Sequence, residues 1–206
     1  MSNENVRVSS AALVLCEIDE KYLQVMSLTK LEATGKRKYS PLGGALEMTE
    51  EGRLFLTELG AEFLEGNDLR IMLDEAKYPE YKDWFLSGEG REHGPVREII
   101  EELTKEHPVF EELSADDFTL ETLGINERRK VSERPGYEGE LTLSVQEFYR
   151  LTFSGSAEAT MRSYCATHGN DGVALVSDEE RLAKTLIVSG EKASCRDLED
   201  FLALLQ

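Results

Sequence analysis

The segment Pro95-Val96-Arg97-Glu98-Ile99-Ile100-Glu101-Glu102-Leu103 constrains this chain more than any other. At about 100° per residue, Glu98, Glu101 and Glu102 share an arc about 100° wide, and Val96, Ile99, Ile100 and Leu103 take the opposite side. The segment therefore reads as a helix from Pro95 to about Glu106, with one face packed on a core and the other presenting three carboxylates. Pro95 suits the first turn, where an amide proton would go unpaired. Three like charges that close repel one another, which raises their pKa values or demands a cation, and hard oxygen ligands suit Mg²⁺ or Mn²⁺. On its own, the helix reads first as an amphipathic surface helix with a solvated acidic face, and only with its context as a metal site.

The surrounding pattern is mixed α/β. Val6 to Ile18 contains the run Ala11-Ala12-Leu13-Val14-Leu15-Cys16, short and apolar, which reads as a strand buried on both faces. Tyr22 to Leu28 should pair with it through a hairpin at Asp19-Glu20-Lys21. Lys36 to Leu46 combines basic residues, Pro41 and the pair Gly43-Gly44, a turn or strand end where backbone approaches something closely. Thr49 caps a helix carrying Leu54, Phe55, Leu59 and Phe63 and ending at Gly66-Asn67. Leu69 to Leu73 reads as a strand, Tyr78 to Leu86 as a helix with the tryptophan Trp84, and Ser87-Gly88-Glu89-Gly90 as a break. Phe118 to Ile125 and Leu141 to Phe153 read as strands joined by a charged loop, Asn126 to Glu140. Ser156 to Cys165 is a helix, Val173 to Val176 and Leu186 to Val188 are strands, and helices follow near Asp178 to Leu182 and from about Ser194 to Leu205.

The chain has 206 residues, 40% hydrophobic and 31% charged, a globular rather than disordered balance. Its net charge of -18 argues against binding long nucleic acids. The charge is not spread evenly: residues 47 to 121 hold 22 acidic and 7 basic residues, a net of 7 − 22 = −15. No apolar run approaches the roughly 20 residues that span a bilayer, and the start Met1-Ser2-Asn3-Glu4-Asn5 lacks positive charge, so a cytoplasmic protein without membrane partners is expected. Cys16, Cys165 and Cys195 form no CxxC pair and read as incidental buried thiols. His93, near the acidic helix, reads as a surface histidine or a substrate contact.

Arg97-Glu98-Ile99-Ile100-Glu101-Glu102 resembles the centre of the Nudix hydrolase motif: a glycine, five residues, a glutamate, seven residues, then Arg-Glu-apolar-any-Glu-Glu. Gly44, followed by five residues and then Glu50, resembles the first half. From Glu50 the arginine would fall at position 58, but it stands at 97, so 39 additional residues split the motif. Seven residues separate Glu89 from Arg97, so Glu89 competes with Glu50 for the glutamate slot. Thr104 and Lys105 stand where the motif closes with glycine and an aliphatic residue. Split motifs of this kind also resemble Nudix domains of bacterial nucleotide-signalling and antiviral defence systems.

The resemblance implies an α/β/α sandwich with a mixed sheet, a single domain over 1–206 with an inserted helical segment at about 51–89. It implies a nucleotide pyrophosphohydrolase in which metal-activated water attacks phosphorus of a nucleoside diphosphate linked to another group, or of a nucleoside triphosphate. Glu98, Glu101 and Glu102 would hold Mg²⁺ or Mn²⁺, Arg97 would orient them, and Gly43 and Gly44 would bring backbone near the metal. Glu140 and Glu147 are candidates for a further carboxylate. The basic residues Lys36, Arg37 and Lys38, and Arg128, Arg129, Lys130 and Arg134 in the later loop, could grip polyphosphate, and Tyr39, Trp84, Tyr137 or Tyr149 could stack a base. A small nucleotide is the expected ligand, and a homodimer is open. The alternative function is an inactive nucleotide sensor or protein-interaction module of the same fold.

Overall fold

The computed structural model of the chain describes residues 5–132 and 136–205. In chain order its main elements are strands β1 (Asn5–Ile18) and β2 (Lys21–Met26), helix α1 (Leu28–Thr34), strands β3 (Lys38–Ser40) and β4 (Leu42–Ala45), helix α2 (Glu50–Leu59), strands β5 (Glu62–Phe63) and β6 (Arg70–Asp74), and helices α3 (Tyr78–Ser87) and α4 (Val96–Glu101). Then follow strands β7 (Phe118–Val131) and β8 (Leu141–Phe153), helix α5 (Gly155–His168), strand β9 (Val173–Val176), helix α6 (Asp178–Ala183), strands β10 (Thr185–Val188) and β11 (Glu191–Cys195), and helix α7 (Glu199–Leu202). This is a mixed α/β architecture, and no helix among the described residues is long and apolar enough to cross a membrane. The chain forms two compact units, one from residues 1–12, 44–94 and 125–147, the other from 13–43, 95–124 and 148–206.

The second unit is layered. Its part of β1 alternates, so Val14, Cys16 and Ile18 meet Ile99 and Leu103 of α4 and its continuation, and Ala157, Met161 and Cys165 of α5. Leu13 and Leu15 point the other way, onto Phe148, Leu198 and Phe201. Both faces of the strand are covered, as an unbroken apolar run requires. β1 turns into β2 through Asp19 and Glu20, both at positive φ, with Ile18 opposite Lys21, the two-residue turn that suits strand twist. The sheet is mixed: β2 and β3 pair antiparallel, and β11 joins β3 in parallel.

In the first unit Val6 and Val8 of β1 lie opposite Leu73 and Ile71 of β6. On that side the Ser10 hydroxyl meets the Tyr81 hydroxyl at 2.6 Å, so α3 covers this face. The segment 51–89 carries α2, β5, β6 and α3 and closes on itself at a neck. Met48 bridges Arg91, the Thr49 amide donates to the Gly90 carbonyl at 2.9 Å, and the Glu92 amide donates to the Glu47 carbonyl at 2.8 Å. A Cβ on Gly52 would sit 1.9 Å from the Gly90 oxygen, so only glycine allows the two backbones this approach.

Several boundaries differ from the sequence reading. α2 ends at Gly60, whose left-handed φ of 89° caps it, not at Gly66-Asn67, and Phe63 belongs to β5. β7 continues through Val131, so Arg128, Arg129 and Lys130 lie in a strand instead of a loop. Residues 191–195 form a strand paired with β10, which leaves the closing helix only Glu199–Leu202. Helix α1 was not foreseen; Ser27 caps it and Gly35 ends it.

Candidate functional site

The acidic helix folds as its two-sided pattern requires. Ile99 and Leu103 are fully buried, Val96 and Ile100 pack beside them, and Glu98, Glu101 and Glu102 lie away from that core. At Glu102 the helix widens into a π-helical turn, Glu102–Glu106, in which the His107 amide donates to the Glu102 carbonyl at 2.8 Å. The Leu103 carbonyl then accepts from Val109 and Phe110, at 3.0 and 3.2 Å. These amides satisfy the terminal carbonyls without a closing glycine, which accounts for Thr104 and Lys105 at the end of the motif. His107 is itself buried, with Nε2 2.8 Å from the Met26 carbonyl.

The three carboxylates are not equivalent. Arg97 Nη1 lies 3.0 Å from both Glu98 and Glu101, and Lys105 Nζ lies 2.9 Å from Glu101. The hydrogen bond from Lys105, joined by that from Arg97, holds the Glu101 carboxyl below its ordinary range. Glu102 has no such cation among the described residues. Its Oε2 accepts from the Gly43 amide at 2.8 Å, which β4 presents because Gly43 adopts a φ of 109°. Desolvation pushes the Glu102 pKa up to about 8; the charges of Glu98 and Glu106 add to the rise, and the Gly43 amide opposes it.

This donor set suits a divalent cation at Glu102, a desolvated carboxylate with no cation of its own, with Glu98 beside it sharing Arg97 with Glu101. Glu101 is spent on Arg97 and Lys105, and among the described residues no three His, Cys, Asp or Glu side chains group as ready ligands. Lys105 escaped the sequence reading, although its i,i+4 spacing from Glu101 is a readable signal.

The remaining candidates fall in different places. In the second unit, Arg37 faces Asp171 at 3.6 Å and Lys38 is exposed on β3. In the first unit, Gly44 follows in β4, Arg129 pairs with Glu75 at 2.5 Å, and Glu147 is buried against Arg91 at 2.6 Å. That arginine also stacks on Phe85 at 4.0 Å and donates to the Phe85 carbonyl, so Glu147 is already neutralised. Glu50, Glu89, His93 and Glu140 are exposed, and Arg134 lies outside the described residues. Tyr39 is buried with its hydroxyl on the Asn170 carbonyl, and Trp84 stacks on Phe55. Both rings are used in packing. Cys16, Cys165 and Cys195 are buried free thiols, and burial pushes the last two up to about 11.

The model of one protein family, described as the SMODS-associated NUDIX domain, matches residues 5–194. No curated protein and no solved structure matches the chain.

Proposed function

Because the chain belongs to the SMODS-associated NUDIX domain family, we propose that it is a metal-dependent pyrophosphohydrolase working in a nucleotide-signalling or defence setting. Its substrate is a nucleoside diphosphate linked to another group, or a nucleoside triphosphate. The observation that carries this reading is Glu102: a desolvated carboxylate fixed by the Gly43 amide, next to Glu98 and without a countercharge. Glu98 and Glu102 would hold Mg²⁺ or Mn²⁺, beside Glu101, which Arg97 and Lys105 hold. A divalent cation held there would supply charge neutralisation for phosphate oxygens and acidify a water. Arg97 sets the direction of Glu98 and Glu101 without touching substrate, and Arg37 and Lys38 attract the polyphosphate. The whole chain acts as one Nudix-like domain, with 51–89 as its insertion.

A second reading, a nucleotide sensor that does not turn over, is favoured by the two cations that engage Glu101. A nucleotide panel with Mg²⁺ and Mn²⁺ separates the two, with calorimetry and product release measured side by side. The hydrolase reading expects metal-dependent release from at least one nucleotide; tight binding with no release supports the sensor.

A further inference from the structure

The sheet of the first unit ends in an open edge. Strand β7 pairs with β8 and, among the described residues, with no other strand, so its second side presents a row of backbone N–H and C=O groups. Past Gly124 this edge reads Ile125-Asn126-Glu127-Arg128-Arg129-Lys130-Val131, all of it within the first unit. Alternation puts Ile125, Glu127, Arg129 and Val131 on one face. The contacts agree: Glu127 meets Lys82 of α3 at 2.6 Å, and Arg129 meets Glu75, just ahead of α3, at 2.5 Å. The Glu127 and Arg129 side chains nonetheless stay 44% and 60% exposed, which leaves each of them room for a second partner. Ile125 and Val131 are 43% and 61% exposed, so the edge is open and apolar at both ends.

This edge is complementary to itself read backwards. We propose that two copies of the chain join here, β7 against β7 and antiparallel, with Arg128 on the two-fold axis. In that register Ile125 of each copy lies opposite Val131 of the other, and Glu127 lies opposite Arg129. Every cross-strand pair on this face is then apolar or of opposite charge. The existing ion pairs are extended, not broken: Lys82, Glu127, the second copy's Arg129 and its Glu75 make a row of alternating charge. On the other face Asn126 lies opposite Lys130, and the one like pair is Arg128 against itself. The neighbouring registers are worse, since centring on 127 or 129 sets two Glu127 carboxylates or two Arg129 guanidiniums face to face. The cations Arg128, Arg129 and Lys130 deter foreign strands, and Glu127 admits a copy of this one. Seven paired residues give about six to eight backbone hydrogen bonds. That is a small interface, so the two copies exchange and the assembly depends on concentration.

The inference is independent of the hydrolase reading, because it uses no residue of α4. Sedimentation of the full chain over a dilution series from about 1 mM to 1 μM reads it directly. The wild type passes from dimer to monomer within that range. Glu127→Arg and Arg129→Glu each turn two attractive pairs into two repulsive ones, and each weakens the dimer about tenfold or more. Mixed in equal amounts, the two variants associate again, because one edge then carries only cations at these positions and the other only anions. Arg128→Thr removes the like pair on the axis and tightens the dimer severalfold. Circular dichroism checks that each variant is folded. Four results overturn the proposal: a monomer throughout the series, single variants that associate as the wild type does, a mixture no more associated than its parts, or weaker association of Arg128→Thr.

Discussion

At Glu102 a burial effect becomes a pH effect. Its ordinary pKa of 4.5 is raised in the folded state to about 8. Between those values the unfolded chain has released this proton and the folded chain retains it, so stability falls as pH rises through the window and levels off above it. In EDTA, the urea midpoint of the wild type should drop between pH 5 and pH 8, and this part of the slope should vanish in Glu102→Gln. Equal slopes in the two proteins would remove the burial argument. Gly43 holds a φ that L side chains rarely adopt, so Gly43→Ala should cost about 1–2 kcal/mol in urea unfolding and weaken Mg²⁺ binding together. Arg91 is the counterpart case. Arg91→Met leaves the Glu147 carboxylate buried without its ion pair and should cost about 3–5 kcal/mol, with Arg91→Met/Glu147→Gln recovering much of the loss.

Among the elements, the acidic helix and the first hairpin were legible because their signals are local. The 3.6-residue period separates Ile99 and Leu103 from the glutamates, and Asp19-Glu20 accepts the positive φ that a tight turn demands. What escaped depends on partners distant in sequence. Residues 191–195 are a strand because β10 and β3 pair with them, and no local pattern records that. The π-helical turn likewise rests on amides of Val109 and Phe110 reaching back to Leu103. The rival claims of Glu50 and Glu89 to one motif position have a structural origin at the neck. Thr49 and Gly90 are hydrogen-bonded partners, so positions 50 and 89 are the first residues inside the neck that they close. The neck is also brittle: Gly52→Ala drives a methyl into the Gly90 carbonyl and should cost about 1–3 kcal/mol by urea unfolding, while the open Gly60 tests only its φ of 89°.

For the molecule as a whole, the charge of -18 sharpens into a statement about 47–121, which carries most of it and includes both residues 51–89 and α4. Repulsion within that stretch opposes folding, so raising NaCl from about 0.05 to 0.5 M should raise the melting temperature, an effect set by screening at a Debye length of about 10 Å or less. The same acidity leaves a small polyphosphate able to approach Glu98 and Glu102 only with a cation between them. The direct measurement of that claim is release of product from the best nucleotide of the panel, with Mg²⁺ present, by wild type and by Glu102→Gln, each checked for an intact fold by circular dichroism. The account predicts Mg²⁺-dependent release by the wild type and its loss in the folded variant; full activity in Glu102→Gln would contradict it.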